Sequence, residues 1–169
     1  MVVVIMGVTG SGKTTVGTLL ARQLGWNFAD ADDFHSAANK QKIHAGIPLT
    51  DADRAPWIAT LHASIVKWIA QQQSAVLACS ALKVEYRVEL SAGSEIAPQV
   101  KFVYLKGSYD LIRERLLQRH GHFADEHILA SQFETLEQPQ DALVVDITAS
   151  PADLVAQIRQ RLGLSELPS

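Results

Sequence analysis

An octapeptide near the start of the chain, Gly7-Val8-Thr9-Gly10-Ser11-Gly12-Lys13-Thr14, fits the phosphate-loop pattern G-x-x-x-x-G-K-[ST] in every required position. The chemistry explains the letters. Glycines let the backbone curl so that several N–H groups converge on phosphate oxygens. Lys13 brings a point charge to the β- and γ-phosphates, and the Thr14 hydroxyl is a hard oxygen ligand for Mg²⁺. Thr15 extends the same nucleotide-binding stretch. Such a loop works only between a strand and a helix whose positive end faces the anion. The apolar run Val2–Met6 before it and the segment Lys13–Leu24 after it meet that demand. ATP with Mg²⁺ is therefore the expected cofactor.

The rest of the chain repeats this alternation of short apolar runs and longer amphipathic segments, the mark of a parallel sheet covered by helices. Strands are expected at Val2–Met6, Asn27–Ala29, Ala75–Cys79, Gln99–Leu105 and Leu143–Ile147. Helices are expected around Ser36–Ala45, Asp51–Gln73, Val84–Ser91 and Ser108–Arg119, and from Ser150-Pro151 onward. Thr50 is placed to cap the second of these, although Pro56 argues that its regular part begins near that residue. The fold class is α/β, a five-stranded parallel sheet with helices on both faces. The segment 120–140 fits no strand. Ile128, Leu129, Phe133 and Leu136 are spaced for a short amphipathic helix, and so long an insert reads as a mobile lid. With 169 residues the chain suits one domain.

Composition removes several classes. The net charge of −3 gives no drive toward nucleic acid. No stretch approaches the ~20 apolar residues of a membrane helix, and Met1 leads into Val2–Met6 without the basic segment of a signal peptide. The single Cys79 cannot form an internal disulfide, which suits a reducing cytoplasm.

The loop gives nucleotide binding, not the reaction. A GTPase switch would show D-x-x-G, which is absent, and Asn39-Lys40-Gln41-Lys42 lacks the Asp of a guanine reader. Large ATPases usually end the third strand in an acid that holds the metal. Here that strand runs into Cys79-Ser80-Ala81-Leu82-Lys83. Asp30 and Asp32, just past the second strand, are the available carboxylates, and an extended backbone would point both the same way. Asp30 with Thr14 is expected to organise the metal, and Asp32 to take the proton of an attacking hydroxyl. Their roles could also be exchanged. Asp33 is left to cap a helix. Arg115 and Arg119 lie four apart on one helix face and bring positive charge toward the insert.

Several blocks resemble the gluconate kinase (gluconokinase) family of P-loop small-molecule kinases. They are Asp32-Asp33-Phe34-His35, Gly46-Ile47-Pro48-Leu49, Asp51-Ala52-Asp53-Arg54-Ala55-Pro56-Trp57, the Cys79–Lys83 block with Tyr86-Arg87, and Ser131-Gln132-Phe133-Glu134-Thr135-Leu136-Glu137. The resemblance runs from about Val4 to Leu154. It implies transfer of the ATP γ-phosphate to the 6-hydroxyl of D-gluconate, a fold like those of shikimate and nucleoside monophosphate kinases, and a homodimer. In small P-loop kinases one arginine of the lid helix flanks adenine and the next reaches the phosphates, roles that would fall to Arg115 and Arg119. A sugar acid with many hydroxyls needs cations and polar groups. Arg54, Lys83 and Arg87 are candidates for its carboxylate, and His35 for a hydroxyl. Trp57, Trp68 and Phe133 are expected to pack. Shikimate or a nucleotide monophosphate as acceptor, and an ATP sensor with no acceptor, are the rival readings.

Overall fold

In the computed structural model, residues 1–120 and 124–164 are described, with the side chains of 119, 120 and 124–126 outside the description. Strand β1 (Val2–Met6) is the centre of the sheet. Every one of its residues is buried, because parallel strands covered on both faces have no solvent side. The elements that follow are α1 (Lys13–Leu24), β2 (Asn27–Asp30), α2 (Ala37–His44), α3 (Asp51–Ala70), β3 (Ala75–Ala78) and α4 (Val84–Leu90). Then come β4 (Val100–Lys106), α5 (Tyr109–His120), α6 (Ala124–Thr135), β5 (Leu143–Asp146) and α7 (Pro151–Leu162). The strands pair in the order β2-β3-β1-β4-β5, all parallel.

The two faces of β1 feed two separate cores. Val3 and Ile5 point to α1, α5, α6 and α7, where they meet Leu20, Ile112, Leu129 and Ile158. Val2, Val4 and Met6 point to α3 and α4, meeting Ile58, Leu61 and Leu90. The period-two alternation of one apolar strand thus supplies both layers.

Local chemistry sets the helix ends. Gly25 and Gly163 close α1 and α7 in left-handed conformations. Ser150 accepts the Asp153 N–H at the start of α7, as expected of Ser-Pro. At α3 the expectation needs correction. The helix begins at Asp51, five residues ahead of Pro56. A complete capping box, with Thr50 and Asp53 each accepting the other's N–H, holds the first turn. Pro56 therefore removes one backbone bond without delaying the helix. Asp33 is likewise corrected, since the helical turns around it are capped by Asp30 and Ser36. Among the described residues no helix is long and apolar enough to cross a membrane.

Candidate active site

The carboxyl ends of β1, β2 and β3 open into a cavity of about 430 Å³. Its floor is the loop Gly7–Thr14, where Gly10 and Gly12 adopt φ of +74° and +95°. At Gly10 a Cβ would also stand 2.8 Å from the Leu116 side chain of α5, so the loop is both left-handed and pressed against a helix. Lys13 reaches back to the Val8 carbonyl at 3.0 Å. Burial lowers its pKa, while Asp32, Cys79 and Asp30 act in the opposite sense. A half-buried ammonium held by one carbonyl and facing a cavity is a place for an anion.

Asp30 and Asp32 line the same cavity. They reach it differently from the extended arrangement expected. β2 ends at Asp30, and the chain turns into a short 3₁₀ helix, Ala31–Phe34. Asp30 caps that turn by accepting the Asp32 N–H at 3.1 Å, and its other oxygen accepts the Thr14 hydroxyl at 2.9 Å. Asp30 is thus fixed, whereas the Asp32 side chain is 86% exposed to the cavity. The Asp32 carboxyl is raised above the ordinary aspartate range, by desolvation from the surrounding walls first and by Asp30 second. Cys79 is buried at the back, its thiol pushed up to about 12 by burial, so it is not a nucleophile.

A hydroxyl and a carboxylate side by side are hard oxygen donors of the kind Mg²⁺ accepts. Among the described residues no cluster of three or more His, Cys, Asp or Glu side chains could hold a metal. The donor set therefore fits an ion that keeps waters and phosphate oxygens as its other ligands, as Mg²⁺ does.

Of the residues expected to hold an acceptor, His35 stands beside Asp32, and Lys83 and Arg54 gather around Asp51. His35 is stacked on Trp57 with ring centroids 4.3 Å apart, and its Nε2 lies 4.0 Å from Asp32. Burial lowers its pKa, with Asp32 opposing and Lys40 and Arg54 adding to the lowering, which favours the neutral ring. Trp57 is packed as expected, donating Nε1–H to the Ala31 carbonyl. At the head of α3, Asp51 gathers three groups. It accepts two bonds from Lys83 (2.9 and 2.8 Å) and one from the Tyr86 hydroxyl, and Arg54 stands 3.5 Å away. These contacts, with Lys83 foremost, depress the Asp51 pKa.

Arg87 does not join that group. Its guanidinium is buried and donates to the carbonyls of Ala81, Leu82 and Glu137 at 2.9–3.1 Å. It thereby clamps Ala81, a non-glycine residue at φ +43°. This corrects its assignment to the sugar acid, because the fork is occupied by backbone. Arg115 donates to the Ile147 carbonyl just past β5, at 2.6 Å. The side chain of Arg119 and residues 121–123 lie outside the described residues.

Three contributors were not assigned roles from sequence. Asp51 and Tyr86 organise Lys83 from 32 and three positions away in the chain. Gln132 of α6 accepts the Thr9 N–H with its Oε1 at 2.6 Å and lines the phosphate cavity.

Comparison with known proteins decides the family. A model described as an AAA domain matches residues 2–139. A probable gluconokinase of Mus musculus is 44% identical over 95% of this chain and 97% of its own. The chain belongs to the gluconokinase family. A solved gluconokinase from Sinorhizobium meliloti 1021 superposes with TM-score 0.80 at 37% identity, covering 95% of this chain and 94% of that one. A sugar kinase from Janibacter sp. HTCC2649 gives 0.86 at 39%, covering 97% and 95%. Likeness to the shikimate kinase of Aquifex aeolicus, 0.52 at 17% identity, extends to the fold alone. The parallel α/β sheet expected from the alternating runs, and the P-loop kinase fold implied by the resemblance, are the fold observed.

Proposed function

We propose that this gluconokinase-family chain transfers the γ-phosphoryl group of Mg-ATP to the 6-hydroxyl of D-gluconate, giving 6-phosphogluconate and ADP. The observation that carries the reading is the meeting of Lys13, the Thr14–Asp30 pair and Asp32 in one cavity. Lys13 and the N–H groups of the loop bind phosphate oxygens and hold the chain of phosphates in line. Mg²⁺, held through Thr14 and Asp30, neutralises charge on the phosphates when bound. Asp32 accepts the proton of the acceptor hydroxyl as the O–P bond forms, and the β-phosphate leaves with the electron pair of the broken bond.

Lys83 and Arg54 bind the gluconate carboxylate, and neutral His35 bonds a hydroxyl next to Asp32. Arg115 flanks the adenine and Arg119 reaches the phosphates. The insert, whose helix α6 is seated on the body through Leu129 and Gln132, covers the phosphate cavity and keeps water from competing as acceptor. A cytoplasmic homodimer completes the reading, supported by the free buried Cys79 and by the family resemblance.

Single substitutions test the roles. Lys13→Ala is expected to abolish gluconate-dependent ADP formation while circular dichroism and melting stay near those of the parent. Asp32→Asn is expected to lower kcat by 10²-fold or more with ATP affinity kept, and Asp30→Asn to raise the Mg²⁺ requirement instead. A Lys13→Ala protein that turns over normally contradicts the loop assignment. The opposite pattern for the two aspartates exchanges their roles.

A further inference from the structure

We propose that Gln132 is a further catalytic residue, whose carboxamide is tied to the phosphate loop on one side and donates to the transferring phosphoryl group on the other. The position comes from two elements that are far apart in sequence. Helix α6 is seated by Leu129, fully buried in the core shared by α1, α5 and α7. Three residues later on the same helix face, Gln132 reaches the loop tip and accepts the Thr9 N–H at 2.6 Å. Leu136 and Glu137 then bind the body again, the Glu137 N–H donating to the Leu82 carbonyl at 2.9 Å. The side chain is therefore held at both ends of its helix segment.

The bond fixes the amide's orientation. An N–H can only be accepted by the carbonyl oxygen of the carboxamide, so Oε1 faces Thr9 and the NH₂ group is the free end. Among the described residues Nε2 has no protein acceptor. Gln132 lines the same cavity as Lys13, Thr14 and Asp32, so its two N–H donors are available to phosphate oxygens bound there. A neutral donor there suits a group whose equatorial oxygens stay charged throughout transfer. The diphosphate of ADP lacks the terminal group, which makes the contact selective for the triphosphate. The inference rests on the phosphate-loop reading above.

Gln132→Glu separates this role from that of a strut. Glutamate still accepts the Thr9 N–H, so a strut survives, but the donor becomes a second anionic acceptor facing phosphate. Affinities for ATP and ADP are measured by equilibrium titration with Mg²⁺, beside kcat with gluconate and the melting temperature. The expected result is ADP affinity within about threefold of the parent, ATP affinity at least tenfold weaker, and kcat down about 10²-fold, the cost of losing one such donor. Equal effects on ATP and ADP, or none on either, overturn the proposal. Should the glutamate variant melt far lower, Gln132→Met, which removes donor and acceptor together, decides by the same ATP-to-ADP ratio. An unchanged ratio overturns the proposal. Failure of the parent protein to bind either nucleotide would instead refute the loop reading, so the two failures are distinct.

Discussion

Arg87 is a buried cation and Lys13 a half-buried one, and the chain satisfies them by different means. Arg87 spends its fork on three backbone carbonyls, whereas Lys13 keeps one carbonyl and faces an open cavity. The first arrangement holds structure and the second waits for an anion. Arg87→Met should leave those carbonyls unpaired at a cost of about 1–3 kcal/mol each before water and relaxation recover part of it. The expected net loss is about 3 kcal/mol in urea unfolding, with KM for gluconate little changed in whatever fraction folds. Lys83→Met should do the reverse, raising KM for gluconate roughly tenfold or more with the melting temperature nearly kept. If Arg87→Met raises KM and leaves stability alone, the arginine contacts substrate after all. Sequence reasoning could place both cations in one motif block. It could not tell them apart, because that depends on which carbonyls the fold brings within reach.

Helix α4 depends on a residue 53 positions away. Its own Lys83 offers no side-chain cap, and the Val84 N–H donates instead to the Glu137 carboxylate. A carboxylate at a helix start satisfies an orphan donor and complements the positive end of the dipole. Glu137→Ala is expected to cost about 1 kcal/mol and to speed amide exchange at the start of α4. Unchanged exchange there would show that the cap is dispensable. Since the same segment carries the backbone bonds to Leu82 and Arg87, α4, the loop after β3 and the end of the insert form one unit. The caps Thr50 and Ser150 were legible because each immediately precedes its helix and bonds within three residues of itself. The cap from Glu137 was not, and α3 started ahead of Pro56 because its capping box outweighs one missing backbone bond.

For the whole molecule, the centre of the sheet was readable because β1 and β3 are continuous apolar runs buried along their length, and the edge strands followed from their alternation with helices. The phosphate loop was readable because its function depends on backbone geometry that few residues permit. The acceptor region was less so. Lys83, Tyr86, Arg54 and Asp51 converge only once α3 and α4 pack on one face of the sheet, and Gln132 reaches Thr9 across 123 residues. The proposed gluconate site rests on that convergence, and the proposed transfer on the phosphate cavity that holds Lys13, Thr14, Asp30 and Asp32. The direct test is ADP release from Mg-ATP by the purified protein with gluconate, shikimate, AMP or no acceptor, with the product identified. ADP formed only with gluconate, matched mole for mole by 6-phosphogluconate, is the predicted result. Folded protein that releases no ADP with gluconate, or releases it equally without an acceptor, would contradict the account.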